Sequence, residues 1–152
     1  MTALTLAKPD DLERLSRLVA DCQTEQGLTQ SEAERQAALA PLLEGAPHGA
    51  IYLIGPARAP IGYVAVSFGW SLALGGLDAV IDDLYIRASV RGRGIGAEIL
   101  GSLPRALSAA GLKALHVRVD PDDSATLEFY TKALFSQNAR PLLLTRRLRP
   151  PI

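Results

Sequence analysis

Arg91-Gly92-Arg93-Gly94-Ile95-Gly96, followed at once by Ala97-Glu98-Ile99-Leu100, is the stretch that decides how this 152-residue chain is read. Three glycines at alternate positions leave the backbone bare, so its N–H groups can turn together toward one point. The apolar-acidic run Ala79 to Ile86 leads in, and a helical pattern leads out. A strand, a bare turn and a helix start make an anion site, because free N–H donors and the positive helix end converge there. A P-loop is excluded, since Ala97-Glu98 stands where Lys-Ser/Thr is needed. A dinucleotide fingerprint is closer: Gly92, Gly94 and Ala97 fit its spacing, and Asp120 follows some way on. The loop lies past the midpoint of the chain, however, and Asp82-Asp83 interrupts the strand before it.

The elements around the loop set its context. Leu4 to Ala7 reads as a short first strand. Pro9-Asp10-Asp11 opens a helix whose stripe is Leu12, Leu15, Leu18, Val19 and Cys22, stopped by Gly27. Cys22 continues that stripe and is expected in the core. A second helix starts at Ser31, with Glu34 completing a capping box, and runs to Glu44. Three strands follow: Ala50 to Ile54, Ile61 to Trp70 and Leu77 to Ile86, separated by glycine turns as in an antiparallel meander. Beyond the loop a helix is expected from Gly94 to Ala110, although interior Pro104 should cost about 3 kcal/mol or kink it. Then come a strand from Ala114 to Val119, a helix from Ser124 to Leu134, and a final strand from Leu142 to Leu148. The order predicts one α/β domain over the whole chain, with helices packed on a central mixed sheet.

Composition removes several function classes. Sixteen basic and sixteen acidic side chains cancel, which gives no support to nucleic-acid or anionic-membrane binding. Arg140, Arg146, Arg147 and Arg149, alternating along the expected last strand, read as a solvated face or dimer contacts. One cysteine and two distant histidines, His48 and His116, leave no pattern for a metal. The N-terminus has no signal-peptide pattern and no apolar run is long enough to span a membrane, so the expectation is a soluble, cytoplasmic protein.

Two motifs together resemble the GNAT superfamily of acetyl-CoA-dependent N-acetyltransferases. That family's pyrophosphate pattern, Arg/Gln-x-x-Gly-x-Gly/Ala, is met by Arg91, Gly94 and Gly96. Downstream, Asp123-x-x-Thr126-x-x-Phe129-Tyr130-x-Lys132-x-Leu134-Phe135 is similar to its Asn-x-x-Ala-x-x-Phe-Tyr-x-Lys-x-Gly-Phe segment. The element order agrees from first strand to last. Departures are Asp123 for Asn, Thr126 for Ala, and Leu134 for Gly; the last predicts a different backbone angle before Phe135. Ile81 to Ile86 with Gly94 to Leu100 looks like the diamine and polyamine acetyltransferase branch.

The resemblance implies a splayed fourth and fifth strand and assigns roles. Backbone N–H groups from Arg91 through Gly92, Arg93, Gly94 and Ile95 to Gly96, with Ala97, would hold the pyrophosphate of acetyl-CoA. Leu84, Tyr85 and Ile86 would hold its pantetheine arm and thioester, and Asp123 would stand near the cofactor. Tyr130 becomes the general acid for the leaving thiolate. Asp82 or Asp83 becomes the base for a protonated amine. As neighbours in a strand the two should face opposite ways, and the resemblance favours Asp82. Phe68 and Trp70, in the Ser67 to Gly76 segment, are candidates to line the amine site with Asp82. The expected activity is direct acetyl transfer to a primary amine of a small molecule, without metal, in a protein that forms homodimers. An acyl-CoA-binding module without chemistry, or an acetyltransferase for aminoglycosides or protein N-termini, are the alternatives.

Overall fold

The computed structural model describes residues 2–138 and 142–150. Its elements in chain order are β1 (Leu4–Leu6), α1 (Leu12–Gln26), α2 (Glu32–Leu43), β2 (Gly49–Ile54), β3 (Gly62–Ser71), β4 (Gly76–Ile86), α3 (Ile95–Ser108), β5 (Ala114–Val117) and α4 (Ser124–Lys132). The five strands form one sheet in the order β1-β2-β3-β4-β5. The first four pair antiparallel, and β5 lies parallel to β4 after the α3 crossover. This is the α/β mixed sheet that the element order predicts.

Alternation along the strands supplies a core to each face of the sheet. On one face Ile51, Leu53, Tyr63 and Tyr85 pack with Leu15, Leu18, Val19 and Cys22 of α1 and with Leu39 and Leu43 of α2. On the other, Ile54, Val64, Val66, Ala79 and Ile81 meet Ile99, Leu100, Leu103 and Leu107 of α3 and Tyr130 of α4. The helix limits follow local chemistry. Gly27 closes α1 at φ +72°, and the Ser31 hydroxyl accepts from the Glu34 N–H at 3.1 Å to open α2.

Pro104 does not end α3, which continues to Ser108. The lost backbone bond costs about 3 kcal/mol. Against it stand four buried aliphatic side chains on the same helix, worth about 1.5–3 kcal/mol each. Packing wins, and the helix runs through the proline.

Two expectations fail here. The strand expected at Leu142 to Leu148 is absent: residues 142–150 have no regular secondary structure, and Leu142, Leu143, Leu144 and Leu148 are exposed. Alternating apolar and β-prone residues suffice for a strand only where an edge pairs with them. The face assignment for Arg146, Arg147 and Arg149 therefore falls with the strand, and Arg140 lies outside the described residues. Leu134, expected to change the angle that a glycine would give, instead adopts the left-handed angle itself, at φ +73°. The chain must turn there so that Phe135 N–H can donate to the Tyr130 carbonyl at 3.1 Å.

Two substitutions test this packing. Leu134 is 93% exposed, so Leu134→Gly removes left-handed strain with little loss of buried surface. It should raise unfolding stability by about 1 kcal/mol in urea titration. Gly62→Ala would put a Cβ 2.0 Å from the Tyr85 carbonyl oxygen, a backbone atom that cannot rotate away. Its expected cost is about 3 kcal/mol, and a wild-type midpoint would contradict the β3–β4 register.

Candidate active site

The ladder between β4 and β5 begins at Asp78–Ala114 and stops at Ile81–Val117. Past that point β4 keeps its β3 partner as far as Ile86, but among the described residues no strand lies beside its other edge. A cavity of about 380 Å³ opens along this part of the sheet. Leu84 and Ile86 form its strand wall, residues 90–92 and 94–97 its loop wall, and Phe129 of α4 closes one side.

The loop wall is built for an anion. Gly92 and Gly94 have φ of +79° and +77°, angles that L side chains rarely adopt. Arg91 N–H donates to the Ala88 carbonyl and Glu98 N–H to that of Gly94. Between them, the N–H groups of residues 92–97 have no backbone acceptor among the described residues. That row of donors meets the positive end of α3 at the mouth of the cavity. Gly96 is fixed by space instead of angle, since a Cβ there would lie 2.9 Å from the Phe129 ring.

Arg91 also lines the cavity, but two of its guanidinium nitrogens are bonded to other groups of the protein. Its Nε donates to the Ile86 carbonyl at 2.7 Å, and Nη2 reaches both Glu25 carboxylate oxygens at 2.8 and 2.7 Å. The guanidinium also lies 5.5 Å above the Tyr85 ring. Its hydrogen bonds hold the Glu25 carboxyl below the usual carboxylate range. Arg93 is exposed on the loop. Tyr85 belongs to the α1 layer by its ring, so only its backbone runs along the open edge.

The aspartates depart from simple alternation. Ala65 pairs with Asp83 and Val66 with Ile81, which leaves Asp82 as the extra residue of a β-bulge. Both carboxylates then meet the same row of β3: Asp82 bonds the Ser67 hydroxyl, and Asp83 accepts from Tyr63 Oη at 2.9 Å. The expectation that they face opposite ways is therefore wrong, because the bulge inserts one residue into the pleat. Asp82 is exposed. Asp83 is half-buried, and burial pushes its carboxyl up against the opposing effect of its bonds from Tyr63 and Gln26. Burial, then the charge of Asp83, also raises the Tyr63 phenol.

Tyr130 is buried on the α3 side, edge-to-face with Phe129 at 5.0 Å and with Phe135 at 5.3 Å. Burial alone pushes its phenol up to about 12. Phe129, its neighbour, is the α4 side chain that lines the cavity. Asp123 caps α4: its carboxylate accepts from Thr126 N–H at 3.1 Å and from the Thr126 hydroxyl at 2.7 Å, which holds it below the usual range. Phe68 packs against the α3-side core, away from the aspartates, and Trp70 is 69% exposed near the end of β3. His116 pairs with Asp78 at 3.1 Å on neighbouring strands.

Four contributors escaped the sequence reading: Glu25 and Gln26 at the end of α1, and Tyr63 and Ser67 on β3. Glu25 lies 66 positions from Arg91, and Tyr63 lies 20 from Asp83, so no local spacing announces either contact. A register for β3 on β4 would have found the two β3 residues.

No group of His, Cys, Asp and Glu among the described residues is arranged to hold a metal ion, and no helix among them is long and apolar enough to cross a membrane. Among curated proteins, none matches this chain. Solved structures do. An integron cassette protein from the mobile metagenome of Cole Harbour salt marsh is 29% identical, with a TM-score of 0.83 over 97% of this chain and 91% of its own. An aminoglycoside acetyltransferase from an uncultured soil metagenomic sample shares the fold at 15% identity, with a TM-score of 0.81 over 97% of each chain. Aminoglycoside N-acetyltransferase AAC(6')-Iy, solved in complex with CoA, does so at 14% identity, with a TM-score of 0.80 over 97% of this chain and 96% of its own. The sequence profile of the acetyltransferase (GNAT) family matches residues 12–134, which take in both cores, the splayed strand, the donor loop and the Tyr130 helix. The chain belongs to the acetyltransferase (GNAT) family, and acyl transfer is the reaction class of that family.

Proposed function

We propose that the protein moves an acetyl group from acetyl-CoA to the primary amine of a small cationic molecule by direct attack. The observation that carries this reading is the row of free N–H donors at residues 92–97, set against the open edge of β4 across an apolar cavity. The donors suit a pyrophosphate. Leu84 and Ile86 suit an uncharged pantetheine arm, and unpaired backbone beyond Ile81 suits a thioester oxygen and the oxyanion that grows from it.

The amine approaches from the opposite face, where the bulge brings Asp82 and Asp83 to one side. Two carboxylates there favour an ammonium-bearing acceptor, of the polyamine or aminoglycoside kind. Between them, the proton-accepting role is assigned to Asp83. Burial raises its carboxyl, which suits a base, and the Tyr63 hydroxyl fixes its orientation. Asp82 then serves as the exposed counter-charge. Asp83 takes a proton from the ammonium, and the free amine attacks the thioester carbon. As the carbon–sulfur bond breaks, the departing thiolate takes a proton from Tyr130, which stays protonated until then because its phenolate is disfavoured by burial. The attacking nitrogen loses its second proton to solvent as the amide forms, solvent restores the Tyr130 proton, and Asp83 passes its own to solvent.

Two variants test these roles by thiol release across a panel of polyamines and aminoglycosides. Tyr130→Phe should lower kcat about 100-fold with the affinity for CoA unchanged. An equal loss in both would remove the acid role. In the wild type, the acid limb of kcat/KM should lie above the ordinary aspartate value of about 3.9, with activity rising as pH rises through it. Asp83→Asn should abolish that limb, and Asp82→Asn should leave it in place. The reverse result would return the base to Asp82.

A further inference from the structure

We infer that the Glu25–Arg91 ion pair is a positioning strut for the amine site, which holds the last turn of α1 over Asp83. The inference rests on the acetyl-transfer reading for the role of Asp83, but not for the strut itself. Glu25 and Gln26 are consecutive in the final turn of α1, and the chain leaves the helix at Gly27. Gln26 faces Asp83, with Nε2 donating to Oδ1 at a long 3.4 Å. A bond of that length does not fix the turn. The nearest buried residue of α1 is Cys22, one turn earlier, so packing does not hold it either. Gln23 ties the turn to Gln30 at 2.8 Å and to Arg35 at 3.4 Å, away from the sheet; toward β4, Glu25 holds it through bonds of 2.8 and 2.7 Å from Arg91.

Arg91 is suited to this because it is held on two further sides. The Ile86 carbonyl accepts from Nε at 2.7 Å, and the Tyr85 ring lies beneath the guanidinium at 5.5 Å. A flat fork with several donors can satisfy a carbonyl, a carboxylate and a ring together, and an ammonium cannot. The same commitments take Nε and Nη2 away from the anion site. The backbone row that begins at Gly92 stays open for a phosphate. The first residue of the glycine motif thus serves the helix on the amine side, although the rest of the motif serves the anion.

Both side chains are nearly half exposed, so replacing either should leave the protein folded. Glu25→Gln and Arg91→Gln, alone and combined, are the variants. Each single change should raise the amine KM about fivefold, the effect of one well-formed exposed ion pair. The double variant should show no further rise. Glu25→Gln should keep kcat and the CoA dissociation constant, from calorimetry, within about twofold of wild type. Backbone amides of residues 24–28 should exchange hydrogen faster in both single variants, with the rest of α1 unchanged. An unchanged exchange pattern in Glu25→Gln would overturn the strut, as would effects that multiply in the double variant. Tighter CoA binding by Glu25→Gln would also overturn it, because the guanidinium would then be a phosphate ligand restrained by Glu25. Absence of turnover with every amine would overturn acetyl transfer instead, and the exchange measurement still decides the strut.

Discussion

The hydrogen bonds between β4 and β5 end at Ile81–Val117, and the rest of the site depends on that ending. A parallel pair that continued would have covered the inner edge of β4 and filled the space where the cavity lies. The bulge at Asp82 falls at the same place. An extra residue disrupts a ladder and increases local twist, so one irregularity accounts for the local geometry of the strand and for its loss of a neighbour. The β3 partner stays paired with the freed strand as far as Ile86, and Gly62 lets the two backbones approach closely there.

The splayed strand then separates two chemical environments by alternation alone. Leu84 and Ile86 face the α3 side, with the apolar cavity and the loop donors. Asp83 and Tyr85 face the α1 side, with Tyr63, Glu25 and Arg91. A carboxylate on the cavity side would oppose the anion that the loop donors suit. A carboxylate on the far side can attract a cation without that conflict. Tyr130 stands on the cavity side, where burial keeps its phenol neutral.

Particular residues show why some features were legible and others were not. The glycine loop was readable because its function is backbone chemistry, and bare backbone is visible as glycine. The stripe of α1 and the Ser31–Glu34 box were readable because their partners lie within a turn or two. Leu134 misled because the residue type suggested an angle, and the angle was instead imposed by the return of Phe135 to Tyr130. The run from Leu142 misled because a strand pattern does not supply an edge to pair with. The aspartates misled because strict alternation assumes an unbroken pleat.

By itself, then, the sequence determined the mixed α/β order, the apolar stripe of α1, the anion-binding loop and, through two spaced motifs, the family. Each of these is written in residue types and spacings within single segments of the chain. The tertiary structure alone decided where β4 parts from β5, that Asp82 and Asp83 share a side, and that Arg91 answers to Glu25 and not to the loop it begins. Each of those is set by register between strands or by a contact across tens of residues, and neither leaves a local period in the chain.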